Sequence, residues 1–217
     1  MAHTLRIEED VPLLRGVLHA VSCPLTLIVG AFLASLAPTP RASLALIVMS
    51  IGFAAIFGTS SIYHRVRWSP QARRRMRQLD HSMIFLGMAT AYTSIWLVAL
   101  DGWISDAVLV YCWIAATVGV LMKLLYLDAR PSRHVIGYIA FALVGFIVIP
   151  SLWSTMGATG VAMMLLGGFM FIAGAVAFAC GRPNLVPGWF GYHELFHAGT
   201  VIGCGLFLGA LANYVMG

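Results

Sequence analysis

The chain has 217 residues, of which 60% are hydrophobic and only 10% are charged, and its mean hydropathy is +0.90. This composition excludes an ordinary water-soluble domain and predicts an integral membrane protein. The net charge of +5 would suggest a nucleic acid partner in a soluble chain. In a membrane protein the excess is better explained by basic residues that collect on one side of the bilayer, so no nucleic acid partner is expected.

Apolar runs follow one another along the chain, and each has about the 20 residues that cross the hydrocarbon core as a helix. They are continuous and glycine-rich, unlike the alternating strands of a membrane β-barrel. The first run follows a segment with three acidic residues, so we expect it to be retained and not cleaved as a signal peptide. Residues 1–217 are therefore predicted to form a single all-α, seven-transmembrane helical bundle. The predicted spans cover residues 16–37, 42–63, 81–100, 107–127, 135–153, 160–180 and 193–215.

Arginine and lysine are distributed unevenly between the connections, which predicts the orientation because short basic loops stay in the cytoplasm. The connections on the other side contain only Arg41. We therefore expect the N-terminus in the cytoplasm and the C-terminus outside. The basic residues expected on the cytoplasmic side are Arg6, Arg15, Arg65, Arg67, Arg73, Arg74, Arg75, Arg77, Lys123, Arg130, Arg133 and Arg182.

Ionisable residues within membrane spans are costly and mark functional sites, and here they gather at one depth. The second span ends in SSIYH, which places Ser60 and His64 one helical turn apart on one face. The third begins with LDHS, so Asp80 enters the bundle at the same level. The seventh opens with YHELFH, where His193 and His197 are again one turn apart. The spacing thus predicts that three helices deliver these side chains to one layer.

Zinc binds imidazole and carboxylate ligands, and a catalytic zinc site keeps three protein ligands and one open position. We predict that His64, His193 and His197 are those ligands and that the cofactor is Zn²⁺. Asp80 would hold the bound water or act as a general base, and Ser60 would hydrogen-bond around the site. The competing interpretation is a polar network that packs helices together without a metal.

HELFH also fits the short zincin pattern of two histidines around a glutamate, but no histidine or acidic residue follows His197. Glu194 is therefore interpreted as an exposed or hydrogen-bonded acid at a helix start. His19 lies at the right depth to join the layer. The other ionisable groups are expected to be solvated or interfacial, and the cysteines to be small core residues; these are His3, His81, His134 and Lys123, and Cys23, Cys112, Cys180 and Cys204.

Three motifs together resemble the hemolysin III family, the bacterial branch of the progestin and adipoQ receptor family, which is grouped with the alkaline ceramidases. They are SSIYH at 60–64, LDHSMIF at 79–85 with AYTSIW after it, and GWFGYHELFH at 188–197. The resemblance implies seven helices in a bacterial inner membrane, with zinc on the matching histidines and Ser60 and Asp80 on the water side. One departure is Ser94, which stands where the family has proline and is expected to straighten the third helix.

Three functions stay open at this stage. The first is a zinc-dependent hydrolase of lipid amide or ester bonds, with membrane lipids as partners and substrate. The second is a regulator of membrane state in which zinc only ties helices together. The third is a cytolytic pore or channel, which requires polar residues along a full transmembrane path that the sequence lacks beyond the cytoplasmic layer.

Overall fold

A computed structural model of the protein describes residues 12–126 and 131–217. His3, Arg6 and Arg130 lie outside the described residues, as do the side chains of Arg133 and His134. The described chain is helical, with no sheet beyond one isolated bridge between Val186 and Phe190. The elements are α1 (Val17–Leu36), α2 (Pro40–Arg65), α3 (Pro70–Ala99), α4 (Trp103–Leu125), α5 (Pro131–Leu143), a 3₁₀ segment (Val144–Val148), α6 (Ile149–Cys180) and α7 (Tyr192–Met216).

The described part of the chain contains six helical stretches that are long and apolar enough to cross a membrane. Five of them correspond to single predicted spans. The sixth, Val135–Cys180, runs through both the fifth and the sixth predicted spans over 46 residues. Its helix is interrupted at Gly157, whose φ of 65° and ψ of −175° are not helical.

Two helix starts are set by a hydroxyl residue followed by proline, a pairing that suits the first turn because proline has no N–H to satisfy. The Thr39 side chain accepts a hydrogen bond from Ala42 N at 3.1 Å, and the Ser69 side chain accepts one from Ala72 N at 3.4 Å. The second cap corrects a prediction. The arginine-rich segment before residue 81 is not a loop but the first turns of α3, which begins at Pro70.

The core lies between α2, α3 and α7, which carry most of the fully buried side chains, whereas α1 and α4 turn large apolar side chains outward. In water such exposure would be unfavourable, but in a bilayer these side chains meet lipid tails. Helix α3 is unbroken, as expected from Ser94, whose hydroxyl donates to the Thr90 carbonyl oxygen at 2.9 Å. The inner helices α2, α3 and α7 are therefore those on which the predicted site residues stand.

Candidate metal centre

Three histidines converge where α2 ends and α7 begins. His64 occupies the last turn of α2, and His193 and His197 occupy the first two turns of α7. One nitrogen from each lies within 4.8 Å of the others, and the Nε2 atoms of His64 and His193 are 3.2 Å apart. The structure thus brings together the three residues whose spacing predicted a shared site.

The donor set fits a divalent ion such as zinc. Zinc–nitrogen bonds are about 2.0–2.1 Å long, so two nitrogens on one tetrahedral ion stand about 3.3–3.4 Å apart. The separation between His64 and His193 is close to that value. His197 is 2% exposed, and the other two rings are half-buried. The three imidazoles could therefore hold a metal ion, with one side of the cluster less deeply covered than the other.

Ser60 and Asp80 form a second polar pair beside the histidines. The Ser60 side chain hydrogen-bonds the Asp80 carboxylate across the α2–α3 interface. Ser60 is 3% exposed and lies one turn before His64 on α2, so the pair is within one helical turn of the cluster. The Asp80 oxygens are not among the mutually close ligand atoms. Asp80 therefore stands next to the cluster and not within it.

An ion pair attaches the start of α7 to the turn that precedes α1. Arg15 Nε donates to Glu194 Oε1, and Gly191 N donates to Glu194 Oε2 at 2.9 Å. The sequence predicted that Glu194 is either exposed or hydrogen-bonded. It is hydrogen-bonded and only 1% exposed. Main-chain bonds from Leu13 N to Gly188 O at 3.0 Å and from Leu14 N to Trp189 O at 3.3 Å extend the attachment. These contacts hold His193 and His197 in place from outside the cluster.

His19 joins the layer more closely than its position in the sequence indicated. Its ring lies parallel to that of His197, with centroids 4.1 Å apart and 3° between the planes. The centroid of the Phe57 ring is 5.0 Å from that of His19. His19 is 2% exposed. The depth of a lone histidine in α1 is the only sequence signal for this contact, because the helices that surround it are remote along the chain.

Several peripheral residues differ from expectation. Lys123 does not extend to the interface but is 3% exposed, with its Nζ 4.5 Å from the Tyr138 ring centroid. His81 is only part-exposed, and its Nδ1 bonds the Arg77 carbonyl oxygen at 2.8 Å. The backbone of residue 134 belongs to α5 and not to a loop. The cysteines are all free, as expected, but only Cys112 and Cys204 are buried, and Cys180 is exposed.

The fold and the cluster together define a class: a multi-pass helical membrane protein with a histidine cluster that could hold a metal ion at one end of its bundle. The family model for haemolysin-III related proteins matches residues 8–208. The chain belongs to this family, which confirms the resemblance carried by its three motifs.

Two curated proteins are similar to part of the chain. Hemolysin-3 of Bacillus cereus is 25% identical over 140 residues, which cover 64% of each chain. The hemolysin-3 homolog of Bacillus subtilis (strain 168) is 20% identical over 129 residues, or 59% of this chain and 60% of that protein. The chain thus spans less than two thirds of the length of either relative. No solved structure matches it significantly.

Proposed function

We propose that the protein is a zinc-dependent hydrolase of lipid amide or ester bonds in a bacterial inner membrane. The observation that carries the proposal is the position of three converging imidazoles beside the hydrogen-bonded pair of Ser60 and Asp80. Relatives from Bacillus and the family match support the membrane and the organism class. The chemistry is argued from the side chains themselves.

We further propose seven crossings, with the N-terminus in the cytoplasm and the C-terminus outside. A helix of 46 residues would be about 69 Å long at 1.5 Å per residue, whereas the hydrocarbon core is about 30 Å thick. The Val135–Cys180 stretch is interrupted at Gly157 near its middle, which supports two crossings. The contact between His64 and His193 supports the same count, since α7 can begin beside the end of α2 only after an even number of crossings between them.

Two C-terminal fusions test this topology. With seven spans and a cytoplasmic N-terminus, alkaline phosphatase fused after Gly217 is active, and green fluorescent protein at the same point is dark. Six spans predict the reverse pattern. A fusion pair after Tyr126, which follows α4, is the internal control, because both counts place it in the cytoplasm. A pair after Arg182, in the α6–α7 connection, should report the cytoplasm with seven spans and the outside with six.

Within the proposed site each residue has a distinct role. Zinc held by the three histidines would acidify a bound water to a pKa of about 7 and polarise a carbonyl oxygen. Asp80 would take the proton released from the attacking water and pass it to the leaving amine or alcohol. Ser60 holds Asp80 by donating its hydroxyl hydrogen, which fixes the carboxylate against α2. Glu194 and Arg15 keep the two ligands of α7 in register with His64.

An apolar cavity supports a lipid as the substrate. It has a volume of about 390 Å³ and is lined by side chains of α2, α3, α5, α6 and α7. Phe196 and Thr200 of α7 line it on either side of His197, and Ile56 lines it one turn before Ser60. The cavity therefore begins within about one helical turn of the histidine cluster, where an acyl chain in the cavity would present its carbonyl group.

Purified protein in detergent, assayed for fatty acid release from a long-chain lipid amide and its ester analogue, tests the proposal. We expect turnover that stops with a chelator and returns with Zn²⁺. Asp80→Asn should lower kcat by about 100-fold or more, the size of a general-base contribution, while zinc content stays unchanged. Asp106→Asn is the matched control, because Asp106 makes the same kind of side-chain bond, accepting from Trp96 Nε1 at 2.8 Å, near the opposite end of α3 from Asp80. No release from either lipid under any metal condition would refute hydrolysis.

A structural zinc in a non-enzymatic regulator of membrane state is the second candidate, because an ion on His64, His193 and His197 would tie the end of α2 to the start of α7. In that case Asp80→Asn leaves function intact, while loss of a histidine loosens the bundle. The relatives are named hemolysins, but a cytolytic pore receives less support. The large cavity in the middle of the bundle is lined by apolar side chains, which do not form a path for water or ions.

A further inference from the structure

The His19 ring is buried without a hydrogen bond to either of its nitrogens. Nδ1 and Nε2 both have no accessible surface and no partner in the described part of the chain; the main chain of His197 lies nearby but not in bonding geometry. Buried polar atoms nearly always have a partner, and an exception calls for an explanation such as an ion or a ligand. A neutral imidazole has one donor and one acceptor nitrogen, so His19 has two free bonding positions next to the candidate metal centre.

His19 is not placed to bind the same ion as the other three histidines. A metal on an imidazole nitrogen lies in the plane of that ring, about 2.0–2.1 Å from the nitrogen. The His19 and His197 planes are parallel within 3° and stacked at 4.1 Å. An ion in the plane of His197 would therefore lie well outside the plane of His19. The His19 nitrogens are also absent from the mutually close set formed by the other three.

The position of His19 is fixed by contacts on its ring. His197 stacks on it, and Phe57 contacts it at 5.0 Å. Aromatic contacts of this kind define the orientation of a ring without using its nitrogens. The ring is thus held in one place with its polar edge free, as expected of a group that serves a ligand.

We propose that His19 is a positioning residue that hydrogen-bonds the non-protein ligand of the metal centre, which is a water or the carbonyl oxygen of the lipid. This inference rests on the proposed metal centre. His19 then supplies a hydrogen bond to the oxygen that shares the ion with His64, His193 and His197. It sets the position of that oxygen relative to Asp80 without binding the ion.

Cobalt substitution with azide as the exogenous ligand tests the proposal. Co²⁺ replaces zinc in the purified full-length protein, and its visible spectrum reports azide binding in the open position. His19→Phe keeps the stack and removes both nitrogens. We expect full cobalt occupancy and an azide Kd that is about 10-fold weaker or more, because one hydrogen bond to a charged ligand is lost. Val21→Phe, on the exposed face of α1, is the control and should leave the azide Kd unchanged.

Two amide variants locate the nitrogen involved and keep the test decisive if His19→Phe does not fold. Asn places its NH₂ near the position of Nδ1, and Gln places it near that of Nε2. One of His19→Asn and His19→Gln should bind azide more tightly than the other, since only one nitrogen faces the ligand. Equal azide affinities in these two variants would overturn the proposal.

The remaining outcomes are also distinct. Full cobalt occupancy with an unchanged azide Kd in His19→Phe overturns the role of His19 and leaves the metal centre intact. X-ray absorption that counts four imidazoles in the wild-type protein and three in His19→Phe overturns it as well, because His19 would then be a ligand. Failure of the wild-type protein to bind cobalt or zinc refutes the metal centre itself, and the role of His19 with it.

Discussion

The histidine cluster at the end of the bundle and the apolar cavity next to it differ in the polarity of their side chains and in how tightly those side chains pack. In the cluster, polar side chains from α1, α2, α3 and α7 are buried against one another, and pairs such as Arg15–Glu194 and Ser60–Asp80 satisfy their charges and hydrogen bonds. In the cavity, apolar side chains leave about 390 Å³ unfilled. Burying polar groups is costly unless they are paired. The molecule therefore concentrates that cost at one end of the bundle and keeps the lining of the cavity apolar.

The same helices build both regions. α2 carries Ser60 and His64 at its end and cavity-lining Phe53 and Ile56 one to three turns earlier. α7 carries the histidines in its first two turns and lines the cavity with Phe196, which lies between them in the sequence, and with Thr200 and Phe207 further along. Position along an inner helix, together with the face on which a side chain lies, therefore decides whether a residue belongs to the cluster or to the cavity. Substitutions of the cluster residues should alter metal binding alone, and substitutions of side chains that line only the cavity should alter lipid binding alone.

Glu194→Ala is expected to have the largest effect on the histidine cluster while leaving the cavity unchanged. It removes the partner of Arg15 and the acceptor for Gly191 N. Because Arg15 is 20% exposed, the charge left behind keeps part of its hydration. The loss is then that of hydrogen bonds to a charged group, about 1.5–3 kcal/mol, which corresponds to roughly 3–12 °C in Tm for a chain of this size. Zinc affinity should fall about 10- to 100-fold, as for other residues that orient metal ligands. Thermal unfolding in detergent and a chelator competition measure both effects.

Glu194→Gln is the matched variant for this prediction. It keeps an oxygen that can accept from Gly191 N but removes the charge that attracts Arg15, so its Tm should fall between those of the wild-type protein and Glu194→Ala. Binding of a fluorescent fatty acid to the cavity should change in neither folded variant. An unchanged Tm in Glu194→Ala would show that the ion pair does not hold α7 to the α1 turn.

A smaller effect confined to the cluster is expected from Gly16→Ala. Gly16 has a φ of +75°, and an added Cβ would lie 2.9 Å from His64 Cβ. The left-handed backbone alone costs about 1–2 kcal/mol for a non-glycine residue. Gly181→Ala is a matched control, since Gly181 is also left-handed, with a φ of 65° and a ψ of 24°, and has nothing within 4 Å of an added Cβ. Both should lower the Tm similarly, but only Gly16→Ala should lower zinc affinity.

The smallest effect, and the one confined to the cavity, is expected from Ala91→Phe. Ala91 lines the cavity and is 7% exposed, so a phenyl ring there occupies space that an acyl chain would use. The KM for a long-chain lipid amide should rise about 10-fold, equivalent to about 1.4 kcal/mol, with zinc content unchanged. Val110→Phe on the outer face of α4 is the control. A loss of zinc in Ala91→Phe would contradict the independence of the two regions.

Much of the fold follows from the sequence because a membrane restricts the choices. Apolar runs of about 20 residues gave α1, α2, α4 and α7 within a few residues. The errors have local causes: the start of α3 at Pro70 depends on the Ser69 cap, and the arginines that seemed to mark a loop are compatible with a helix at the membrane surface. The seven-span count is a proposal, since α5, the 3₁₀ segment and α6 follow one another with a backbone interruption at Gly157.

The convergence of His64, His193 and His197 was predictable because helical spacing places paired residues on one face and span ends at one depth. The contacts of His19 could not be predicted, because they depend on how α1 packs against α7. The burial of Lys123 could not be predicted either, because it depends on how α4 packs against α3 and α5. Glu194 was recognised as a residue of the helix start. Its partner Arg15 is 179 residues away, and no local pattern connects them.

The central claim is that the ends of α2 and α7 share one divalent ion, and metal analysis tests it most directly. Protein purified without added chelator should contain about one zinc ion per chain, as a site with three histidine ligands requires. The double variant His64→Ala, His193→Ala should contain almost no zinc. Its folding is checked by whether it forms a single species in detergent. Wild-type protein that takes up no zinc, or a double variant that retains as much as the wild type, would contradict the account.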